Sequence, residues 1–106
     1  MAKYLLAGSY TVDGVKGLLK DGGSKRQAAV RSLMENAGGR LESFHFAFGT
    51  DDFYLILEAP DNTVAASLSL AVAASGAVKV RTIPLMTPEE VDGAVKRKFE
   101  YRPPGA

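Results

Sequence analysis

The sequence predicts an α+β fold in which helices cover one face of a four-stranded antiparallel sheet. Residues 41–59 alternate in polarity around a Gly- and Asp-containing turn, which is typical of a β-hairpin. Two stretches with helix start and stop signals connect the remaining strand-like segments. The chain has 106 residues, of which 46% are apolar and 24% charged, as expected for one globular domain. We therefore expect a single domain over residues 1–106, with residues 97–106 forming an extended tail.

The hairpin at residues 41–59, LESFHFAFGTDDFYLILEA, is the most informative stretch. Gly49 to Asp52 favour a tight reversal, because Gly and Asp tolerate the backbone angles that such turns require. Placing Phe48 opposite Phe53 sets the register and gives the hairpin one apolar face and one mixed face. The apolar face consists of Phe44, Phe46, Phe48, Phe53, Leu55 and Leu57, and we expect all six to be buried beneath the helices. The mixed face pairs Ser43 with Glu58, His45 with Ile56, and Ala47 with Tyr54.

The first 40 residues predict a strand followed by helical structure. Residues 3–10 are apolar on both faces, which indicates a central strand. Residues 11–20 predict a short helix, and Ser24 with Gln27 fits a capping box that opens a second one. Gly38 and Gly39 end that helix. A single kinked helix over residues 12–37 is the alternative.

The second half of the chain has clearer start and stop signals for its helices and strands. Residues 60–62 (Pro-Asp-Asn) end the hairpin and cap a helix over 62–75, and Gly76 ends that helix. Its predicted buried stripe is Val64, Leu68, Ala71 and Val72. Residues 77–85 form the fourth strand. Thr87-Pro88-Glu89-Glu90 is a strong helix start, so a last helix is expected to run to about Lys98, before the prolines of the tail.

The element order is therefore β-α-β-β-α-β with an appended helix, the ferredoxin-like arrangement. Right-handed crossovers place the main helices on one face of a sheet with strand order 4-1-3-2. The opposite face remains uncovered over roughly 350 Å², estimated from strand spacing and length. An apolar surface of that size predicts pairing with a second copy of the chain.

Composition excludes several classes of function. A net charge of +1 gives no overall attraction to nucleic acid or anionic membranes. No apolar run approaches the ~18 residues of a transmembrane helix. The chain has no Cys, so disulfides, thiol catalysis and Cys-zinc sites are excluded. We see no export signal and expect a cytoplasmic protein without a metal site or cofactor.

The mixed sheet face carries the candidate ligand-binding residues, which are Ser9, His45, Tyr54, Lys79 and Arg81. Lys79 and Arg81 suit a carboxylate, phosphate or enolate oxygen, and the planar guanidinium of Arg81 favours bidentate binding. The apolar body of an organic anion would lie against Leu5, Ile56 and Ile83. Salt bridges, for instance to Glu58, are the alternative role for the two cations.

His45 and Tyr54 are the candidate catalytic residues, with His45 as a general base. A strand histidine hydrogen-bonded at a dimer interface is the simpler interpretation of His45. As the only histidine, it cannot form a multi-His metal site within one chain.

Three further features are interpreted structurally. Asp51 and Asp52 indicate a solvated turn rather than a cation site, because adjacent side chains on a turn point apart. Gly22-Gly23-Ser24 is interpreted as helix punctuation rather than an anion-binding loop. The phenylalanine cluster is interpreted as core rather than as an RNA-stacking surface.

The chain resembles the GYD-domain family, a group of small proteins in the dimeric α/β-barrel superfamily. The matching stretches are KYLLAGSYT at 3–11, GVKGLLKDGGSKR at 14–26, FAFGTDDF at 46–53, LAVAASGAVKV at 70–80, MTPEEVD at 86–92 and YRPPGA at 101–106. The family's Gly-x-Tyr-Asp motif falls on residues 49–52, where Gly49 and Asp52 match and Asp51 replaces the Tyr. The resemblance implies a ferredoxin-like fold, sheet-to-sheet dimerisation and a tail that docks across the subunit boundary.

The resemblance implies no established reaction, and relatives in the superfamily include cofactor-independent monooxygenases, chlorite dismutase-like haem enzymes and ligand-binding proteins. Three hypotheses follow. The first is a binding protein for a small organic anion held between the sheet face and a dimer partner. The second is a cofactor-independent monooxygenase or isomerase that uses His45 and Tyr54. The third is a structural or regulatory module whose sheet face serves assembly alone.

Overall fold

The computed structural model describes residues 1–106 and has the predicted α+β architecture, consistent with a ferredoxin-like fold. Its elements are β1 (Ala2–Tyr10), α1 (Val12–Asp21), α2 (Gly23–Asn36), β2 (Arg40–Phe46), β3 (Phe53–Ala59), α3 (Asn62–Ala74), β4 (Val78–Leu85) and α4 (Pro88–Lys96). The four strands form one antiparallel sheet in the order β2-β3-β1-β4. This is the predicted strand order, with β1 in the interior.

The core lies between one sheet face and the helices α2 and α3. Tyr4 and Leu57 are its most deeply buried large side chains, and Val30 and Met34 of α2 and Leu68 of α3 pack in the same cluster. The Tyr4 hydroxyl donates to the Asn62 side chain at the start of α3. The opposite sheet face has no helix over it, and we call it the open face.

The hairpin register differs from the prediction by two residues. Phe46 pairs with Phe53 and Phe44 with Leu55, whereas the sequence placed them opposite Leu55 and Leu57. The loop accounts for the difference, because it occupies residues 47–52 rather than a four-residue turn. A shift of two residues preserves the face on which each side chain lies, so the predicted division into apolar and mixed faces holds.

A β-bulge between Leu41 and Ser43 adds a second irregularity to β2. The extra residue is Glu42, and it allows Leu41 and Phe44 to lie on the same sheet face although they are three positions apart. Leu41 is buried opposite Leu57, where Phe44 was expected.

Two of the six predicted core residues of the hairpin are exposed. Phe48 lies in the loop and is fully exposed, so the prediction for Phe48 was wrong. Phe46 is on the predicted face but at the edge strand, where 39% of it remains exposed. Its ring contacts Phe44 at 5.0 Å between centroids. Phe53, Leu55 and Leu57 are buried as predicted, and Phe44 is partly buried against the core.

The first crossover contains two helices rather than one kinked helix. Gly22, at φ 80°, separates α1 from α2 and occupies the N-cap position of α2. The predicted Ser24 capping box is therefore wrong, because the N-cap of α2 lies two residues earlier, at Gly22, and makes no side-chain cap. Gly38 and Gly76 take positive φ after α2 and α3, as predicted.

In α3 the Asp61 side chain caps the first turn by accepting from the Val64 amide at 2.9 Å. Ala65 and Leu68 are buried, but Ala71 is exposed, which corrects its place in the predicted stripe. In α4 the full capping box of Thr87 and Glu90 is present as predicted. That helix ends at Lys96, two residues earlier than expected.

Residues 86–106 extend away from the rest of the protein. Every residue from Met86 to Ala106 is exposed, including Val95, Phe99 and Tyr101. No residue of this longer tail, residues 86–106, is buried against the rest of the chain. None of the helices combines the length and apolarity needed to cross a membrane.

Candidate functional site

A row of side chains crosses the open face at the level of Ala7. From β2 to β4 the directly paired positions are His45, Tyr54, Ala7 and Arg81. The two-residue correction in register places His45 opposite Tyr54 rather than opposite Ile56. Ala7 is small and buried, so the larger side chains on either side rise above it. Three of the predicted site residues are thereby brought into one row.

The neighbouring row on the open face is mainly apolar. Ser43, Ile56, Leu5 and Ile83 occupy the equivalent positions of the four strands. Ile83 retains 37% exposure, and Leu5 and Ile56 are partly exposed. The predicted apolar wall therefore lies directly beside the polar row, with both rows facing solvent in the single chain.

Asp51 links Tyr54 and Arg81, two members of the polar row. Its Oδ2 atom accepts from the Tyr54 hydroxyl at 3.1 Å and from Nη2 of Arg81 at 2.8 Å. Asp51 is only 8% exposed, whereas 64% of the Arg81 side chain remains exposed. The interpretation of Asp51 as a solvated turn residue was therefore wrong.

The path of the hairpin loop explains how Asp51 reaches this position. The Asp52 amide donates to the Gly8 carbonyl at 2.7 Å, and Asp52 Oδ2 accepts from the Tyr10 amide at 2.8 Å. Ser9 Oγ donates to the Thr50 carbonyl at 3.1 Å. These bonds fold the loop over the end of β1, so Asp52 is likewise a structural contact rather than a solvated turn residue.

A side chain at position 8 would obstruct this packing. A Cβ atom on Gly8 would lie 2.4 Å from the ring of Phe53 and 2.7 Å from the Lys79 carbonyl. The close approach of the loop and strands at this end of the sheet therefore requires glycine.

The contact with Asp51 also affects the acidity of Tyr54. The hydrogen bond from the phenol to the Asp51 carboxylate, and then the negative charge of that carboxylate, raise the pKa of Tyr54 above 10.0. The positive charge of Arg81 opposes this effect. The contact with Asp51 thus favours the neutral phenol of Tyr54 over the phenolate.

The remaining predicted site residues have different surroundings. Lys79 is exposed on β4 opposite Ser9 and forms no salt bridge. Ser9 donates its hydroxyl to the loop, and His45 is exposed. Glu58, the suggested partner of the two cations, instead pairs with Arg40 at 2.9 Å.

Sequence reasoning missed Asp51 as a member of this site. The available signal was the replacement of the motif tyrosine by aspartate, but residue spacing alone does not show that the loop folds back toward Arg81. The structure brings together no group of three or more His, Asp or Glu side chains suited to a metal ion.

The fold and this surface define a class of protein, a small ferredoxin-like α+β domain with a mixed polar and apolar open face. The sequence model of the GYD domain matches residues 4–95, and the chain belongs to the GYD domain family. Comparison with curated proteins and with solved structures gives no match.

Proposed function

We propose that the protein binds a small organic anion on the open face, with a second copy of the chain covering the ligand. The observation that carries this proposal is the fixed position of Tyr54 and Arg81. Both are bonded to one nearly buried carboxylate and lie beside the apolar row of Leu5, Ile56 and Ile83. Convergent polar groups next to an apolar wall are typical of small-molecule sites.

The cations retain capacity to bind an anion. Arg81 uses Nη2 for Asp51, and its largely exposed guanidinium leaves other N–H groups as donors. Lys79 has no acidic partner, so its charge is not neutralised within the chain. Asp51 offsets one of the two positive charges, which favours a monoanion over a more highly charged ligand.

The monooxygenase or isomerase hypothesis receives less support. The Asp51 carboxylate raises the pKa of Tyr54 and so disfavours the phenolate, which suits a hydrogen-bond donor or acceptor but not a general base. The Tyr54 proton is directed to Asp51 rather than to His45. Anion binding requires no proton transfer and is compatible with this arrangement.

The experiment compares benzoate with its neutral analogue benzamide by calorimetry and thermal shift. Lys79→Ala should weaken benzoate binding without disturbing the Asp51 contacts. Arg81→Ala removes a charge-assisted hydrogen bond worth about 1.5–3 kcal/mol, or roughly tenfold to a hundredfold in affinity. Lys16→Ala, which removes an exposed charge from α1, is the matched control and should bind like the wild type.

Equal stabilisation of wild type, Lys79→Ala and Arg81→Ala by benzoate would contradict the proposed site. No binding by any small acid, together with a dimer interface filled by side chains, would instead favour the assembly module.

A further inference from the structure

A second candidate site lies on the opposite side of the sheet, in a cleft between α2 and α3. Helix α2 packs on β2, and α3 packs on β4, so the two helices lie over opposite edges of the sheet. The space left between them has a volume of about 70 Å³. We call it the core cleft. Its walls include Val30 and Met34 of α2 and Leu68 and Val72 of α3.

The core cleft is apolar apart from groups at its α2 end. Fourteen of its fifteen lining residues are hydrophobic, and the exception is Arg26. Tyr10 also lines the cleft, with its ring against Phe53 at 5.3 Å between centroids. The Tyr10 hydroxyl is buried and its proton has no acceptor, because the neighbouring Arg26 guanidinium can only donate to it. A buried hydroxyl proton without an acceptor is uncommon in proteins and unfavourable, which points to an acceptor absent from the chain itself.

The charge near the cleft is positive, which favours a negatively charged acceptor for the Tyr10 hydroxyl. Arg26 is partly buried and forms no salt bridge, and its positive charge acts on the Tyr10 phenol. Lys25 and Arg26 follow the start of α2, whose first turn has no acidic residue and no side-chain cap. Cations are unfavourable near a helix N-terminus, and a bound anion would offset this cost.

We propose that the core cleft binds a short-chain monocarboxylic acid. The alkyl chain would occupy the apolar space, and the carboxylate would accept hydrogen bonds from Tyr10 and Arg26. The volume is about half the roughly 150 Å³ of an apolar cavity that accommodates benzene, so it suits an alkyl chain of two or three carbons. This site is distinct from the open face and does not depend on the function proposed above.

The test titrates butyrate and the neutral 1-butanol into isotope-labelled protein and follows the amide resonances. We expect butyrate to shift amides around Tyr10, Val30 and Val72. Tyr10→Phe and Arg26→Gln should each weaken butyrate binding roughly tenfold, because each removes a hydrogen bond to a charged group. The same variants should change 1-butanol binding little. Val72→Phe should fill the cleft and abolish binding of both probes.

Two controls keep the proposal falsifiable. Lys16→Ala, which removes an exposed charge from α1, should bind butyrate as the wild type does. Tyr10→Phe should fold with unchanged or higher melting temperature, because it deletes an unpaired buried hydroxyl.

Loss of stability in Tyr10→Phe would show that the hydroxyl has a partner and would overturn the inference. The inference also fails if butyrate does not bind at millimolar concentration. It fails equally if butyrate shifts only open-face amides or binds Tyr10→Phe and Arg26→Gln like the wild type.

Discussion

At the scale of single residues, Asp51 determines how the Tyr54 and Arg81 side chains of the candidate site are oriented. One carboxylate oxygen orients a phenol from β3 and a guanidinium from β4, which lie on opposite sides of the central strand β1. The open-face residues themselves were predictable, because alternation along a strand assigns each side chain to a face. The role of Asp51 could not be predicted, because its position depends on hydrogen bonds between the loop and β1 that have no local sequence signal.

The titration of Tyr54 tests this contact. Folding raises the pKa of Tyr54, so its contribution to stability is complete below pH 10.0 and is lost as pH rises through the higher folded value. NMR of labelled tyrosine rings should show Tyr54 titrating above 10.0 in the wild type. Asp51→Asn removes the negative charge and should bring the pKa of Tyr54 down. An unchanged Tyr54 titration in Asp51→Asn would show that the carboxylate is not the cause.

The same contact should contribute to stability. Asp51→Ala removes an acceptor that serves two donors, but both donors are exposed enough to be solvated after the change. We therefore expect a loss of about 1–2 kcal/mol in the free energy of unfolding, below the value for a fully buried charged pair. Urea denaturation measures it, with Asp13→Ala on the exposed face of α1 as a control. A loss no greater than that of the control would exclude a stabilising role.

At the scale of elements, features set by local sequence signals could be predicted, whereas features set by non-local contacts could not. Both ends of α3 and the start of α4 followed from capping residues that act within a few positions, namely Asp61, Gly76, Thr87 and Glu90. The hairpin register did not follow from its apolar pairs, because loop bonds to β1 fix the length of the reversal. The face assignment survived because the error was an even number of residues.

The corrected hairpin predicts different costs for two truncations. Leu57 is 1% exposed at the centre of the core, so Leu57→Ala should cost about 2–5 kcal/mol. Phe46 is partly exposed on an edge strand, and its loss should cost only about 1–2 kcal/mol. Chemical denaturation of the two variants decides between this register and the one expected from the sequence, in which Phe46 is fully buried. An equal or larger cost for Phe46→Ala would favour the latter.

At the scale of the whole molecule, the open face and the tail both expose apolar side chains to solvent. The sheet face offers roughly 350 Å², whereas a stable interface usually buries about 800 Å² per partner. Residues 86–106 carry further exposed apolar side chains, including Val95, Phe99 and Tyr101. We therefore propose that dimerisation through the open face also involves the tail of each copy.

Sedimentation analysis at micromolar concentration should report a dimer for the full chain. Ile83→Glu, which places a charge on the open face, should shift the protein toward monomer, as should truncation after Met86. Leu19→Glu changes an exposed apolar residue on α1 and should leave the assembly unchanged. A monomeric wild type, or a dimer insensitive to both changes, would contradict pairing through this face.

The bulge in β2 has an evolutionary consequence for chain length. Removal of Glu42 would leave Leu41, Ser43 and Phe44 as consecutive residues opposite Leu57, Ile56 and Leu55, which is an unbroken ladder. The deleted residue contributes one ion pair, with Lys3 at 3.1 Å, in which both side chains are more than a third exposed. Deletion of Glu42 should therefore cost no more than about 1 kcal/mol.

Deletion of Ile56 from the interior strand β3 is the matched comparison. That change would place Leu55 and Leu57 on opposite faces of the sheet and should prevent folding, as circular dichroism would show. If both deletion variants fold equally well, or both fail to fold, this account of the bulge is wrong. If only the Glu42 deletion folds, homologous chains one residue shorter in β2 are compatible with the same core, and Glu42 marks a position where an insertion was absorbed.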